Sequence, residues 1–121
     1  MKHESIERSK EERPISTDEV EIVTWLLLHA SAARSIAHLE PTVKALRVVA
    51  RCPCGCPSVD FEADGQTLPA QPIADATGRT AEGTAVDVIL WGRKDSITGL
   101  EVVFYDRPIC VLPLVATLEA G

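Results

Sequence analysis

Residues 45–63 read ALRVVARCPCGCPSVDFEA. Apolar residues alternate along both arms, which is the period of half-buried strands, and a cysteine run broken by proline and glycine separates them. The pattern is that of a hairpin, and its side chains favour one alignment over another. If Cys52 stood opposite Cys56, then Leu46, Val48 and Ala50 would share a face with Ser58, Asp60 and Glu62. If Cys52 stands opposite Pro57, then Leu46, Val48, Ala50 and Cys52 join Pro57, Val59, Phe61 and Ala63 on one apolar face. Arg47 then meets Glu62, Val49 meets Asp60 and Arg51 meets Ser58, with roughly 0.2–1 kcal/mol from each opposite-charge pair. A slip of one residue exchanges the faces of a strand, so a single core tolerates only one of the two. The second alignment is expected, with Cys54 and Gly55 at the tip and Gly55 free to take positive φ.

That alignment turns Cys52 inward and Cys56 to the solvated face, and leaves Cys54 at the apex. The three thiols are expected to diverge. A closed zinc site takes four ligands at tetrahedral corners, most often from two separated knuckles. Here there is one cluster, and Cys110 could supply a fourth thiolate only if the tail returned to the turn. His3, His29 and His38 show no ligand spacing. Arg51 is the nearest cation, and no helix start lies beside the turn to activate a thiol. A glycine turn with cysteines as small packing residues is therefore the first reading. A metal site at Cys52, Cys54 and Cys56, with zinc as the cofactor, is the alternative, because C-x-C clusters bind thiophilic metals.

Downstream, TAVDVILW (84–91) and LEVVFYD (100–106) flank GRKDSITG and read as a second hairpin. The connection DGQTLPAQPIADATGRTAEG is long for an unstructured link, so a short strand is expected near Pro72–Ala76. The tail adds one edge strand near Ile109–Leu112, halted by Pro113. Asp87 and Glu101 fall on one side of the second hairpin with Ile89, Trp91, Val103 and Tyr105. This is a mixed face of the kind that protein partners use, since Trp and Tyr are common anchors.

Upstream lies the helix PISTDEVEIVTWLLLHA. Ser16 and Glu19 form a capping box, Ile15 and Val20 a hydrophobic staple, and Asp18, Glu19 and Glu21 complement the helix dipole. Val20, Ile22, Val23, Leu26, Leu27, Ala30 and Ala33 share one broad face that should pack on the sheet. Trp25 and Leu28 fall on the other side and, with Trp91 and Tyr105, are the candidate partner-binding residues. A second helical turn is expected near Ser35–Leu39, ending before Pro41. Residues 1–14, rich in both signs of charge, read as a flexible arm ahead of a single α+β domain over 15–121.

The 121 residues are 45% apolar and 25% charged, with aromatics at 4% and a net charge of -6. One domain with an aliphatic core follows. The negative balance disfavours nucleic acid and anionic lipid as partners. The longest apolar run, Val23–Leu28, is interrupted by Thr24 and falls far short of the roughly 20 residues of a membrane span. MKHESIERSKEER lacks the apolar segment of a secretory signal, so a cytoplasmic location with reduced thiols is expected. No G-x-S-x-G elbow, HExxH helix or phosphate-cradling loop occurs, and no catalytic residue is assigned.

The stretch RCPCGCPSVDFE, with LEVVFYD downstream and LP after it, resembles a group of small bacterial proteins sharing a C-x-C-G-C-x-S turn. The resemblance covers residues 45–113 and implies an α+β fold with no known activity; Ser96 stands where the second turn of the group carries glycine. The expected architecture is α+β: an N-terminal amphipathic helix on a four- or five-stranded, mostly antiparallel sheet built from two hairpins. The expected function is that of a non-enzymatic module that binds another protein or itself, with a thiol or metal protein as the alternative.

Overall fold

The start signal read from Ser16 is built as its chemistry requires. The Glu19 N–H donates to Ser16 Oγ at 3.1 Å, and the Ser16 N–H donates back to Glu19 Oε1 at 2.9 Å. They open helix α1 (Thr17–His29), whose Ile22, Val23, Leu26 and Leu27 are buried. In this computed structural model the described residues are 9–30, 33–62, 70–93, 95–106 and 109–120. Among them no helix is long and apolar enough to cross a membrane.

A short helix α2 (Ala33–Ile36) runs into a 3-10 helix over Ala37–Ala45. The sequence predicts an end before Pro41, yet Pro41 lies inside the 3-10 segment. The Thr42 hydroxyl donates to Leu39 O at 2.7 Å, and Leu39 and Val43 are buried against α1 and the sheet. Tertiary packing holds the turn where local preference would end it.

Among the described residues the fold is α+β with a seven-stranded antiparallel sheet, not four or five strands made from two hairpins. The strands are β1 (Ser9–Pro14), β2 (Arg47–Arg51), β3 (Val59–Phe61), β4 (Gln71–Arg79), β5 (Ala85–Arg93), β6 (Ser96–Phe104) and β7 (Glu119–Ala120). Their order is β1-β2-β3-β6-β5-β4-β7, so β4, β5 and β6 form a meander that returns to pair with β3. Beyond the two hairpins stand β1, β4 and β7: β4 is the expected short strand grown longer, while β1 and β7 are unexpected, and each has its own cause.

β1 arises where composition predicts an arm. Arg13 grips Glu19 with both guanidinium nitrogens, at 2.9 and 2.8 Å, so the capping carboxylate of α1 also anchors the strand before it. Residues 1–8 lie outside the described part. β4 is longer than the expected Pro72–Ala76 because small residues let the chain close over it. A Cβ on Gly78 would come within 2.8 Å of Leu118 Cδ2 and 3.3 Å of Pro113 Cβ. The tail, expected to form a strand near Ile109–Leu112, is irregular there. It is instead caught at Arg79, where the Leu114 N–H donates to Arg79 O and the Arg79 N–H to Thr117 Oγ1, both at 2.9 Å. A 3-10 turn (Val115–Thr117) then delivers β7 to Ala76 and Thr77.

Val48, Val59, Phe61, Ala76, Val86, Val88, Leu90, Ile97, Leu100 and Val102 form the buried side of the sheet and join the α1 face in one core. The opposite side carries the half-buried Asp87, Ile89, Trp91, Glu101 and Val103. The β2–β3 turn lies beside the α1 end of this assembly, along a cleft that also takes in the N-terminal residues of α1.

Candidate metal centre

The β2–β3 hairpin keeps its expected register only at the end far from the cysteines. Val48 stands opposite Phe61, and the Glu62 N–H donates to Arg47 O at 2.9 Å. Between Val48 and Ala50 the ladder slips by one residue, so Ala50 faces Asp60 and Arg51 faces Val59. The bulge leaves an extra residue, Val49, on β2. Beyond it the Cys52 N–H donates to Ser58 O at 3.2 Å, which makes Ser58, not Pro57, the partner of Cys52. The loop is correspondingly longer. Its first half is a β-turn closed by the Gly55 N–H on Cys52 O at 3.2 Å, and Gly55 takes φ +93, open to glycine and costly for other residues.

The slip reverses the expected exposures. Cys56 is buried at 7% and Cys52 is half-buried, whereas the unslipped register turns Cys52 inward and Cys56 outward. Cys54 is exposed, as an apical residue should be. The expectation that the thiols diverge is overturned. The Sγ atoms of Cys52, Cys54 and Cys56 all lie within 4.8 Å of one another. A longer loop with a left-handed glycine curls back on itself, and the alternate side chains of C-P-C-G-C come to one side.

Hydrogen bonding sets the three sulfurs apart chemically. Cys52 Sγ and Cys54 Sγ are 2.9 Å apart, the Cys56 N–H points at Cys54 Sγ at 3.4 Å, and Cys56 Sγ donates to Ser58 Oγ at 3.3 Å. Ser58 Oγ also accepts the Val102 N–H at 2.9 Å, so the turn is fastened to β6 by a buried hydroxyl. Burial, then the bond to Cys54, pushes the Cys52 thiol up to about 11. The bond from Cys52 lowers the Cys54 thiol against an opposing push from burial, and the Cys56 N–H adds to the lowering. Of Cys52 and Cys54, Cys54 is thus the sulfur that first carries charge, with the Cys52 thiol as its donor. Neither a cation nor a helix start is needed for this, which is why a search for those two features along the sequence missed it.

Three convergent sulfurs are a soft donor set, suited to Zn, Cu(I) or an iron–sulfur unit and poorly suited to Mg or Ca. They could supply three of the four ligands that a structural zinc site takes. Cys56, Gly55 and Pro57 also line a cleft of about 970 Å³, to which Arg13, Arg51 and Cys110 contribute.

The four expected partner-binding residues do not make one surface. Trp25 is half-buried against the core and stacks on His29, with ring centroids 4.8 Å apart, while Leu28 on the same helix is 48% exposed. Trp91 is half-buried on the outer face of the sheet, where its Nε1–H donates to Glu101 Oε1 at 2.9 Å. Tyr105 is 64% exposed, and its hydroxyl donates to Asp87 Oδ2. Asp87 and Glu101 do share that face, opposite Val103 and Ile89. Each carboxylate is matched to an aromatic donor.

Compared with known proteins, the chain matches no family model, no curated protein and no solved structure. The resemblance seen in the cysteine turn rests on its motifs.

Proposed function

We propose that this chain binds a thiophilic metal ion, zinc above all, through Cys52, Cys54 and Cys56. The observation that carries the reading is the gathering of three sulfurs within 4.8 Å by a turn whose register, bulge and glycine all serve to curl it. Because Cys54 is exposed, the ion is reached directly from solvent and can exchange. Titration of the reduced protein with Zn²⁺ or Cu(I) should show one bound equivalent and thiolate-to-metal absorption in the ultraviolet. Cys54→Ser should keep its far-ultraviolet circular dichroism and lose more affinity than the roughly 10–100-fold typical of changes outside the ligand shell. Binding should tighten as pH rises, because the proton held by Cys52 up to about 11 must leave for its sulfur to coordinate. Absence of any bound ion at pH 8 in reducing buffer would sink the proposal.

A second reading is a protein-binding or self-associating module. Tyr105 at 64% and Leu28 at 48% exposure are the observations in its favour. They lie on different elements, the β6 end and α1, so a partner engages one or the other. Analytical ultracentrifugation of the metal-free chain decides whether the partner is a second copy. A concentration-dependent dimer lost in Tyr105→Ala or Leu28→Ala supports this reading, and a monomer at every concentration removes self-association.

A further inference from the structure

The cleft beside the cysteine turn holds the remaining thiol of the chain. Cys56 lines it from the turn and Cys110 lines it from the tail, so one residue belongs to both the three-sulfur cluster and the cleft wall. Cys110 itself lies outside the cluster. The segment that carries it is fixed on both sides, with Leu112 packed against the core, and is exposed at Cys110 and Val111. Ile109 is 8% exposed, Pro113 is buried, and the Leu114 N–H is bound to Arg79 O at 2.9 Å. Between these anchors Cys110 and Val111 are exposed. Among the described residues, no backbone hydrogen bond ties 110–112 to the rest of the fold. Moving this stretch disrupts no ladder.

Zinc and cadmium favour four ligands, and a three-thiolate site leaves one position for solvent or for another side chain. A fourth thiolate satisfies the soft-ligand preference better than water. It also leaves a divalent ion with four thiolates at a net charge of two negative. Arg13 and Arg51 line the same cleft, but so do Asp18, Glu19, Glu21 and Glu82, and Arg13 is already held by Glu19, so the wall itself does not offset that charge. The pieces are a half-built soft site and a fourth, exposed thiol in the wall of the adjoining cleft.

We infer that Cys110 is the fourth ligand: when Cys52, Cys54 and Cys56 take up a divalent soft ion, the exposed stretch between Ile109 and Leu112 moves toward the turn and closes the site. This rests on the reading of the turn as a metal site and goes beyond it. The open centre becomes a closed one, and the bound ion links the tail to the β2–β3 turn.

Pulse alkylation of the reduced wild-type chain, with and without one equivalent of Zn²⁺ or Cd²⁺ and with each cysteine followed by mass spectrometry, tests this without any variant. The expected result is protection of all four cysteines, with alkylation of the exposed Cys110 slowed by about ten-fold or more, as for a thiolate engaged by metal. Cys110→Ser should reduce the cadmium–thiolate absorption per bound ion by about a quarter, as four thiolates become three. Protection of Cys52, Cys54 and Cys56 with Cys110 reacting at its metal-free rate would overturn this inference and leave the turn as a three-thiolate site. Protection of none of the four would remove both.

Discussion

Two hairpins of this sheet were readable from the same alternation of side chains, and they ended differently. In β5–β6 the pairing runs from Val86 opposite Phe104 to Leu90 opposite Leu100 and Trp91 opposite Gly99 before any irregularity. The bulge comes only between Trp91 and Gly92, next to the turn, where a Cβ on Gly92 would run into the Ser96 carbonyl. In β2–β3 the ladder is three residues long on the β3 side, and it slips after a single pair. Repeated burial of Val86, Val88 and Leu90 against the core fixes the long hairpin residue by residue. The short one has Val48 and Phe61 to hold it, and past them the loop is free to choose its own curvature. One hairpin is scaffold, and the other spends its regularity on gathering sulfur.

The largest effect that separates them should come from Leu90→Ala. It removes a fully buried side chain from the middle of the long ladder, and should lower unfolding free energy by about 3 kcal/mol. Chemical denaturation measures it. A loss under about 1 kcal/mol would mean that the β5–β6 core is not what holds the sheet together.

A smaller effect tests the short hairpin, which depends on β1 as its other neighbour. Arg13→Ala leaves the Glu19 carboxylate, 5% exposed, without its guanidinium, and should cost about 2 kcal/mol near neutral pH. Burial alone would raise the Glu19 carboxyl, but Arg13 and the Ser16 N–H outweigh it and hold the group below the ordinary carboxylate range. A lowered folded value means stability that is complete above the unfolded pKa of about 4.3 and lost as pH falls through the folded value. The gap between wild type and variant should therefore be full at pH 6–7 and shrink in acid. A gap independent of pH down to the acid transition would show that Arg13 acts by packing alone.

How much of this was legible follows from the range of each interaction. The α1 start was readable to the residue because Ser16 and Glu19 act across three positions, and the buried face of the helix follows from its period. The outer-face company of Asp87, Trp91, Glu101 and Tyr105 was readable for the same reason, since alternation persists through β5 and β6. β1 was not, because its charged sequence is held by Arg13 reaching Glu19 and by pairing with β2, neither of which leaves a local mark. The cysteine cluster was missed through one residue, Val49. An alternation pattern cannot report a bulge, and a single extra residue shifts the register of the β2 end and of the turn that follows it.

The rims of the sheet carry a last consequence. An open ladder of seven strands offers unpaired amides along both outer strands, the usual template on which like chains polymerise strand by strand. On one rim β1 ends in Pro14, which has no N–H to offer; on the other, two residues of β7 seal Ala76 and Thr77, while Pro72 withholds an N–H further along β4. The brief β7 thus serves as a stopper, and the small residues of β4 that let it seat are the same ones that would otherwise leave a flat, inviting margin.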